Sequence, residues 1–321
     1  MGVLFGTDGV RDVANTRLTP ELAFRLGRAG AVIALRRTEG RPLMVVGGDT
    51  RRSTGMLEAA VVAGITSAGV DVTRVGVVPT PAVAYLTRAL GADAGVVISA
   101  SHNPAEYNGI KFFGPDGFKL ADELEDEIEA GALAAGGGDM GAAAWQEADG
   151  LPRPHGRGVG VVRDIVDAAD RYVQSVMGVA RRRLDGLHVV IDCANGASYR
   201  TSPAAFRALG ATTTVINDSP NGDNINVHCG STHPESLQSA VCELGADLGF
   251  AHDGDADRVM AVDARGSVVD GDQMMAVCAV FRVANGGLPG GAIVATQYSN
   301  LGLVQALNAI GCQVVMADAG D

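Results

Sequence analysis

Three stretches of this chain follow one plan, and that plan limits the fold more than any other feature. An apolar run ends in a small polar loop, a helix-length segment follows, a glycine stops it, and a second apolar run begins. The first copy is Leu43-Met44-Val45-Val46-Gly47, a predicted helix from about Thr54 to Ala68, Gly69, then Val70 to Val75. The second is Leu187 to Ile191, a helix ending at Leu209, Gly210, then Thr212 to Ile216. The third is Ala292 to Thr296, a helix from about Asn300 to Ile310, Gly311, then Gln313 to Met316. Each glycine stands where a left-handed residue closes a helix. Continuous apolar strands alternating with such helices predict an α/β fold of consecutive βαβ units with mainly parallel mixed sheets.

A chain of 321 residues is too long for one growing core, so several domains are expected. Composition suits this: 47% hydrophobic, 19% charged, and only 4% aromatic, so the cores must be built from Ala, Val, Leu and Ile. A further echo links two of the domains. Leu90-Gly91-Ala92-Asp93-Ala94-Gly95 leads into one polar loop, and Leu244-Gly245-Ala246-Asp247-Leu248-Gly249 leads into another. If the two strand ends face each other, a cleft lies between them. The segment from Gly131 to Gly150 is rich in Gly and Ala and is followed by Pro152 and Pro154, which marks a linker. A helix from about Arg163 to Met177 is expected to open the next domain, with another junction near Val259 to Asp272. The expected domains are 1–155, 156–259 and 260–321. The last holds a single strand–helix–strand and is expected to be truncated.

The formal net charge is −12, which speaks against nucleic acid and anionic membrane surfaces as partners. An anionic ligand would need local positive groups, for which Arg11, Arg51, Lys111, Lys119 and Arg258 are the candidates. The five cysteines form no CxxC pair and suit free thiols in a reducing compartment. No signal peptide is apparent, and no apolar run approaches the roughly 18–20 residues of a membrane span. A soluble cytoplasmic protein is expected.

Two loops carry chemistry. Ser99-Ala100-Ser101-His102-Asn103-Pro104 follows the apolar strand Ala94 to Ile98, so its polar groups should sit at the carboxyl end of a sheet, where open α/β sheets hold ligands. The plainer reading is a turn that only reverses the chain. In His252-Asp253-Gly254-Asp255-Ala256-Asp257-Arg258, the acids alternate with period two, which predicts three carboxylates leaving the same side of a strand end. Such a trio would raise its own pKa values unless a cation neutralised it, and hard oxygen ligands suit Mg2+. An EF-hand is excluded, because Arg258 stands at the sixth position and Ala264 at the twelfth. Gly6-Thr7-Asp8-Gly9-Val10-Arg11 could turn Arg11 toward an anion. Gly136 to Gly141 fits GxGxxG, but an acidic helix rather than a strand precedes it, so a nucleotide-binding role is discarded. Ser101 and His102 are adjacent, so a serine–histidine hydrolase pair is not expected.

Taken together, the serine loop, the three-Asp loop, the early Gly-Arg loop and Asn108-Gly109-Ile110-Lys111 resemble the alpha-D-phosphohexomutase superfamily, over essentially all 321 residues. Asp192 to Ala197, Asn224-Ile225-Asn226, Cys229 to His233 and Ser299 to Leu303 are most similar to its bacterial branch acting on glucosamine phosphates. The resemblance implies that Ser101 carries a phosphoryl group and that Asp253, Asp255 and Asp257 hold Mg2+ beside it. It implies catalytic roles for Ser101, Lys111, Arg11 and His102, and phosphate binding by Arg258, Asn103 and Arg51. The implied reaction interconverts glucosamine 6-phosphate and glucosamine 1-phosphate through a 1,6-bisphosphate. A hexosamine phosphate is the implied partner, and a homodimer is a candidate assembly. The family has four domains, and its E-x-S-G-H sugar loop and R-x-S-G-T phosphate loop are absent here. Asp12 also replaces the family's glycine after the arginine. This chain is therefore expected to be an N-terminal part that turns over poorly alone. The alternatives are glucose or mannose phosphates as substrates, a non-catalytic sugar-phosphate-binding protein, and a metal-dependent phosphatase.

Overall fold

The computed structural model describes residues 4–6, 9–134 and 153–318. The first unit comprises β1 (Phe5–Gly6), β2 (Gly9–Val13), α1 (Pro20–Arg37), β3 (Leu43–Gly48), α2 (Thr54–Ser67), β4 (Asp71–Val77), α3 (Thr80–Ala89), β5 (Ala94–Ile98), β6 (Tyr107–Phe113), α4 (Asp122–Ala134) and β7 (Val162–Asp164). Its seven strands form one mixed sheet in the order β1-β2-β6-β5-β3-β4-β7. The second unit comprises α5 (Ala168–Val179), β8 (His188–Asp192), α6 (Thr201–Ala208), β9 (Thr212–Ile216), α7 (Glu235–Leu244), β10 (Leu248–His252), β11 (Val259–Asp263) and β12 (Val268–Val269), with sheet order β12-β11-β10-β8-β9. The third comprises α8 (Gly271–Ala284), β13 (Ala292–Thr296), α9 (Leu301–Ala309) and β14 (Gln313–Ala317) around a two-stranded parallel sheet.

The repeated plan in the sequence is a repeated winding. In the first unit the chain passes from β3 to its neighbour β4 and then crosses to β5 on the other side of β3. In the second it passes from β8 to β9 and crosses to β10 on the other side of β8. Each crossing leaves a gap at the carboxyl ends of two parallel strands, where loops diverge and a ligand can enter. The glycines that stop the helices take positive φ, at +98° for Gly69, +97° for Gly210 and +75° for Gly311.

The Leu-Gly-Ala-Asp echo also has a physical reason. Asp93 Oδ2 accepts the Leu43 N–H at 2.8 Å, which ties the start of β5 to that of β3. Asp247 Oδ2 accepts the His188 N–H at 2.7 Å, which ties β10 to β8 in the same way. The core of the first unit is dense. Thr19 caps α1 through the Leu22 N–H, Pro20 opens the helix, and α1 then lies directly on α2. A Cβ on Gly64 would meet the Phe24 carbonyl oxygen at 2.1 Å, so only glycine permits this crossing.

Three boundaries differ from expectation. β7 adds to the first sheet beside β4, so that unit runs past residue 155, and Arg163 belongs to a strand rather than a helix. β11 and β12 continue the second sheet past residue 259, because the chain returns antiparallel along β10 before it leaves. Residues 131–134 of the expected linker end α4, while the rest of it through 152, including the GxGxxG match, lies outside the described residues. Among the described residues, no helix is long and apolar enough to cross a membrane.

Candidate active site between the first two units

The serine loop begins where β5 ends. Ser99 Oγ donates to Asp49 Oδ2 at 2.5 Å and accepts the Ser101 N–H at 3.0 Å. Ser101 has a φ of +50°, unusual for a residue with a side chain. Asp49, at the end of β3, is buried, and its Oδ1 accepts from the Arg51 N–H at 2.9 Å and Thr54 Oγ1 at 3.0 Å. The expectation that Arg51 binds phosphate is corrected here. Its side chain is fully buried, and Nη2 donates to the carbonyl oxygens of Ser101 at 3.0 Å and Asn103 at 2.7 Å. Arg51 therefore holds the loop from behind. Asn103 joins the same arrangement through its carbonyl.

The acidic loop begins where β10 ends. Its acids do not continue the strand, as the period-two reading expects; they sit on a turn in which Ala256 takes a φ of +55°. The convergence is nevertheless real. Ligand atoms of Asp253, Asp255 and Asp257 all lie within 4.8 Å of one another. Burial drives the Asp255 carboxyl well above its ordinary value, and the charges of Asp253 and Asp257 add to the shift. Burial, with Asp253, pushes Asp257 up to about 6. Asp255 Oδ2 accepts from Thr80 Oγ1 at 2.6 Å, while its buried Oδ1 has no hydrogen-bond partner. Mutually repelling carboxylates with an orphaned buried oxygen form a hard donor set that fits a divalent cation. The Ala197 N–H braces the turn by donating to the Gly254 carbonyl at 2.8 Å.

The two loops meet. Ser101 Oγ donates to Asp253 Oδ2 at 2.5 Å across the junction. Arg258 Nη2 lies 2.9 Å from Asp253 Oδ2 and 2.5 Å from Ser101 Oγ, and it also contacts His102 Nδ1. One hydroxyl, three acids, a guanidinium and an imidazole thus converge from two units. Arg11 on β2 pairs with Gly109 on β6, and Lys111 lies two residues further along β6, so both leave the same face of the sheet. The Lys111 charge reaches Asp257 and that of Arg11 reaches Arg51. Thr7 and Asp8 of the early loop lie outside the described residues. Lys119 is not part of the site. It sits by the start of β5, 3.0 Å from Asp122 and 3.1 Å from Glu125.

The sequence reading assigned no role to Asp49, Thr80, Asp192 or Asn226, although Asp192 and Asn226 lie in segments that carry the resemblance. Asp192 is buried at the end of β8, and its carboxylate accepts the N–H groups of Ala194 at 2.8 Å and Gly230 at 2.9 Å. For Asp49 the signal was available: Asp49-Thr50-Arg51 follows an apolar strand just as the serine loop does.

Models described as phosphoglucomutase/phosphomannomutase α/β/α domains I, II and III match residues 2–136, 170–266 and 270–321. A phosphoglucosamine mutase of Moorella thermoacetica is 56% identical over 321 residues, covering 100% of this chain and 69% of that protein. One of Rhodococcus jostii is 56% identical over 322 residues, with the same coverage. The chain thus spans about 69% of the length of these relatives. A solved structure of a phosphoglucomutase/phosphomannomutase family protein from Burkholderia thailandensis superposes with a TM-score of 0.81 at 26% identity, over 98% of this chain and 66% of that one. With three consecutive domain matches laid over its three units, the first two of which build the site, this chain belongs to the phosphoglucomutase/phosphomannomutase family.

Proposed function

We propose that this protein is built for phosphoryl transfer between Ser101 and glucosamine phosphates, interconverting glucosamine 6-phosphate and glucosamine 1-phosphate. The observation that carries the reading is the contact of Ser101 Oγ with Asp253 and Arg258 from the neighbouring unit. Phosphoglucosamine mutase relatives at 52–56% identity support the amino sugar as substrate.

In this reading Ser101 starts as a phosphoserine. The C1 hydroxyl of glucosamine 6-phosphate attacks phosphorus, the P–Oγ bond breaks, and the 1,6-bisphosphate forms. After the sugar turns over, Ser101 Oγ attacks the 6-phosphoryl group and glucosamine 1-phosphate leaves. Arg258, at hydrogen-bond distance from Oγ, stabilises the negative charge that develops there as the bond breaks. His102 steadies that guanidinium through Nδ1. Lys111 and Arg11 supply positive charge on the face that receives the attacking hydroxyl. Asp253, Asp255 and Asp257 would hold Mg2+, which when bound offsets charge on the transferring phosphoryl group. Water must be kept from the phosphoserine, and the burial of Ser101, at 3% exposure, serves that need. The five free thiols support a working place in a reducing compartment such as the cytoplasm.

The test is single-turnover. The chain is incubated with glucosamine 1,6-bisphosphate and Mg2+, then analysed by intact mass and peptide mapping. One phosphoryl group on Ser101, passed on to glucosamine 6-phosphate faster than to glucose or mannose phosphates, is the expected result. The Ser101→Ala protein should take up none while keeping its circular dichroism spectrum. Labelling elsewhere, or wild-type uptake by the alanine variant, would overturn the role of Ser101. Release of inorganic phosphate in step with formation of glucosamine monophosphate, with no phosphoryl group passed to an added sugar phosphate, would indicate a phosphatase.

A further inference from the structure

The serine loop is held by two donors that come from different units. Arg51 Nη2 donates to the carbonyl oxygens of Ser101 and Asn103 from within the first unit. Asn226 Nδ2, from the long connection between β9 and α7 in the second unit, donates to the same two oxygens at 2.9 and 3.2 Å. Both amide hydrogens of the Asn226 side chain are therefore spent on one loop of the opposite unit. Asn226 is itself fixed: its N–H donates to the Ala194 carbonyl at 2.9 Å, its φ is +60°, and it is 9% exposed. The metal-binding turn packs against the same spot. A Cβ on Gly254 would lie 2.6 Å from the Ser101 carbonyl oxygen and 2.8 Å from Asn226 Nδ2.

This juxtaposition matters because Ser101 has the left-handed backbone. Its Oγ reaches Asp253 while its carbonyl oxygen accepts from Arg51 and Asn226. Arg51 can keep the loop's shape but not its place relative to the acidic turn, since both lie on the first unit. Asn226 joins the two. We propose that Asn226 is a positioning residue that sets the register between the Ser101 hydroxyl and the Asp253 turn by chelating the serine loop's carbonyls across the junction. The proposal rests on the phosphoserine reading above, which gives that register its purpose.

Two substitutions isolate the side chain. Asn226→Asp is isosteric but offers only acceptors to two carbonyl oxygens. Asn226→Gly keeps the positive φ and removes the donor without backbone strain. Three measurements are made on the 321-residue chain: amide hydrogen exchange across the serine loop, phosphoryl uptake by Ser101 at saturating and limiting 1,6-bisphosphate, and Mg2+ affinity by calorimetry. For both variants, exchange in the loop should quicken about tenfold, and uptake at saturating donor should fall about tenfold or more, the scale on which outer partners act at metal and catalytic sites. In Asn226→Gly, Mg2+ affinity and the melting temperature should stay near wild type; in Asn226→Asp the buried carboxylate facing two carbonyl oxygens should lower the melting temperature. Loop exchange and uptake both within twofold of wild type in Asn226→Gly would overturn the proposal. So would equal losses of uptake, Mg2+ affinity and melting temperature in Asn226→Gly, which mark a residue that only supports the fold. If the wild-type chain acquires no phosphoryl group, the phosphoserine reading fails, and loop exchange alone still decides whether Asn226 holds the loop.

Discussion

Arg51 shows what a side chain's burial does to its chemistry. A guanidinium on the surface of this cleft would bind phosphate; sealed beneath the loop, it can only bind carbonyls and Asp49. Arg51→Met should therefore lower stability by about 3 kcal/mol in chemical denaturation, because Asp49 loses its buried countercharge. A phosphate-binding arginine would instead leave the denaturation midpoint unchanged. Thr80 acts on the acids in a comparable way. Its hydroxyl donates to Asp255 and favours the charged carboxylate. Thr80→Val should weaken Mg2+ binding about tenfold by calorimetry, with little change in melting temperature. At this scale the sequence was partly legible. Ser101 and the three acids were readable because few structural duties call for those residue types at a strand end. Arg51 and Asn226 were not, because pairing partners distant in sequence decide which way each side chain turns; Lys119 turns instead to Asp122 and Glu125, close by in sequence.

Among the elements, the βαβ units were readable from apolar runs and glycine stops, since both signals are local. Sheet membership is not local. Nothing in Val259 to Val269 says that it returns along β10, and nothing in Val162 to Asp164 says that it joins β4. The acidic turn failed the period-two reading for a similar reason: the left-handed Ala256 folds the chain back, and that angle has no signature in alanine itself. The α1–α2 crossing gives a direct test of element packing. A methyl group at Gly64 must push the backbone of α1 away. Gly64→Ala should cost about 1–3 kcal/mol in urea denaturation. By contrast, Asp164→Ala removes only the exposed pair with Arg74 and should leave the urea midpoint close to wild type.

For the whole molecule, the acidic trio makes stability depend on both pH and metal. With Asp255 raised well above the ordinary range and Asp257 at about 6, the folded metal-free protein binds more protons than the unfolded chain. Stability from these groups is present at low pH and is lost as pH rises, for Asp257 through about 6. Mg2+ takes the protons' place, so the rise in melting temperature on adding Mg2+ should be larger at about pH 7.5 than at about pH 5.5. An equal rise at both values by calorimetric melting would show that the acids do not hold the ion.

The junction combines polar and apolar contacts. Besides the reacting groups and Asn226, it is fastened by Thr80 on Asp255, by Thr50 Oγ1 on the Asn195 carbonyl at 2.6 Å, and by the Arg52 N–H on the Gly222 carbonyl at 2.9 Å. Each α/β unit has an apolar interior of its own, although α5 also packs Ala168, Ala169 and Tyr172 into a cluster with Val75, Val83 and Leu86 of the first unit. On gentle heating, chemistry should vanish while helices and strands still give their full spectral signal, and cooling should bring it back without any refolding.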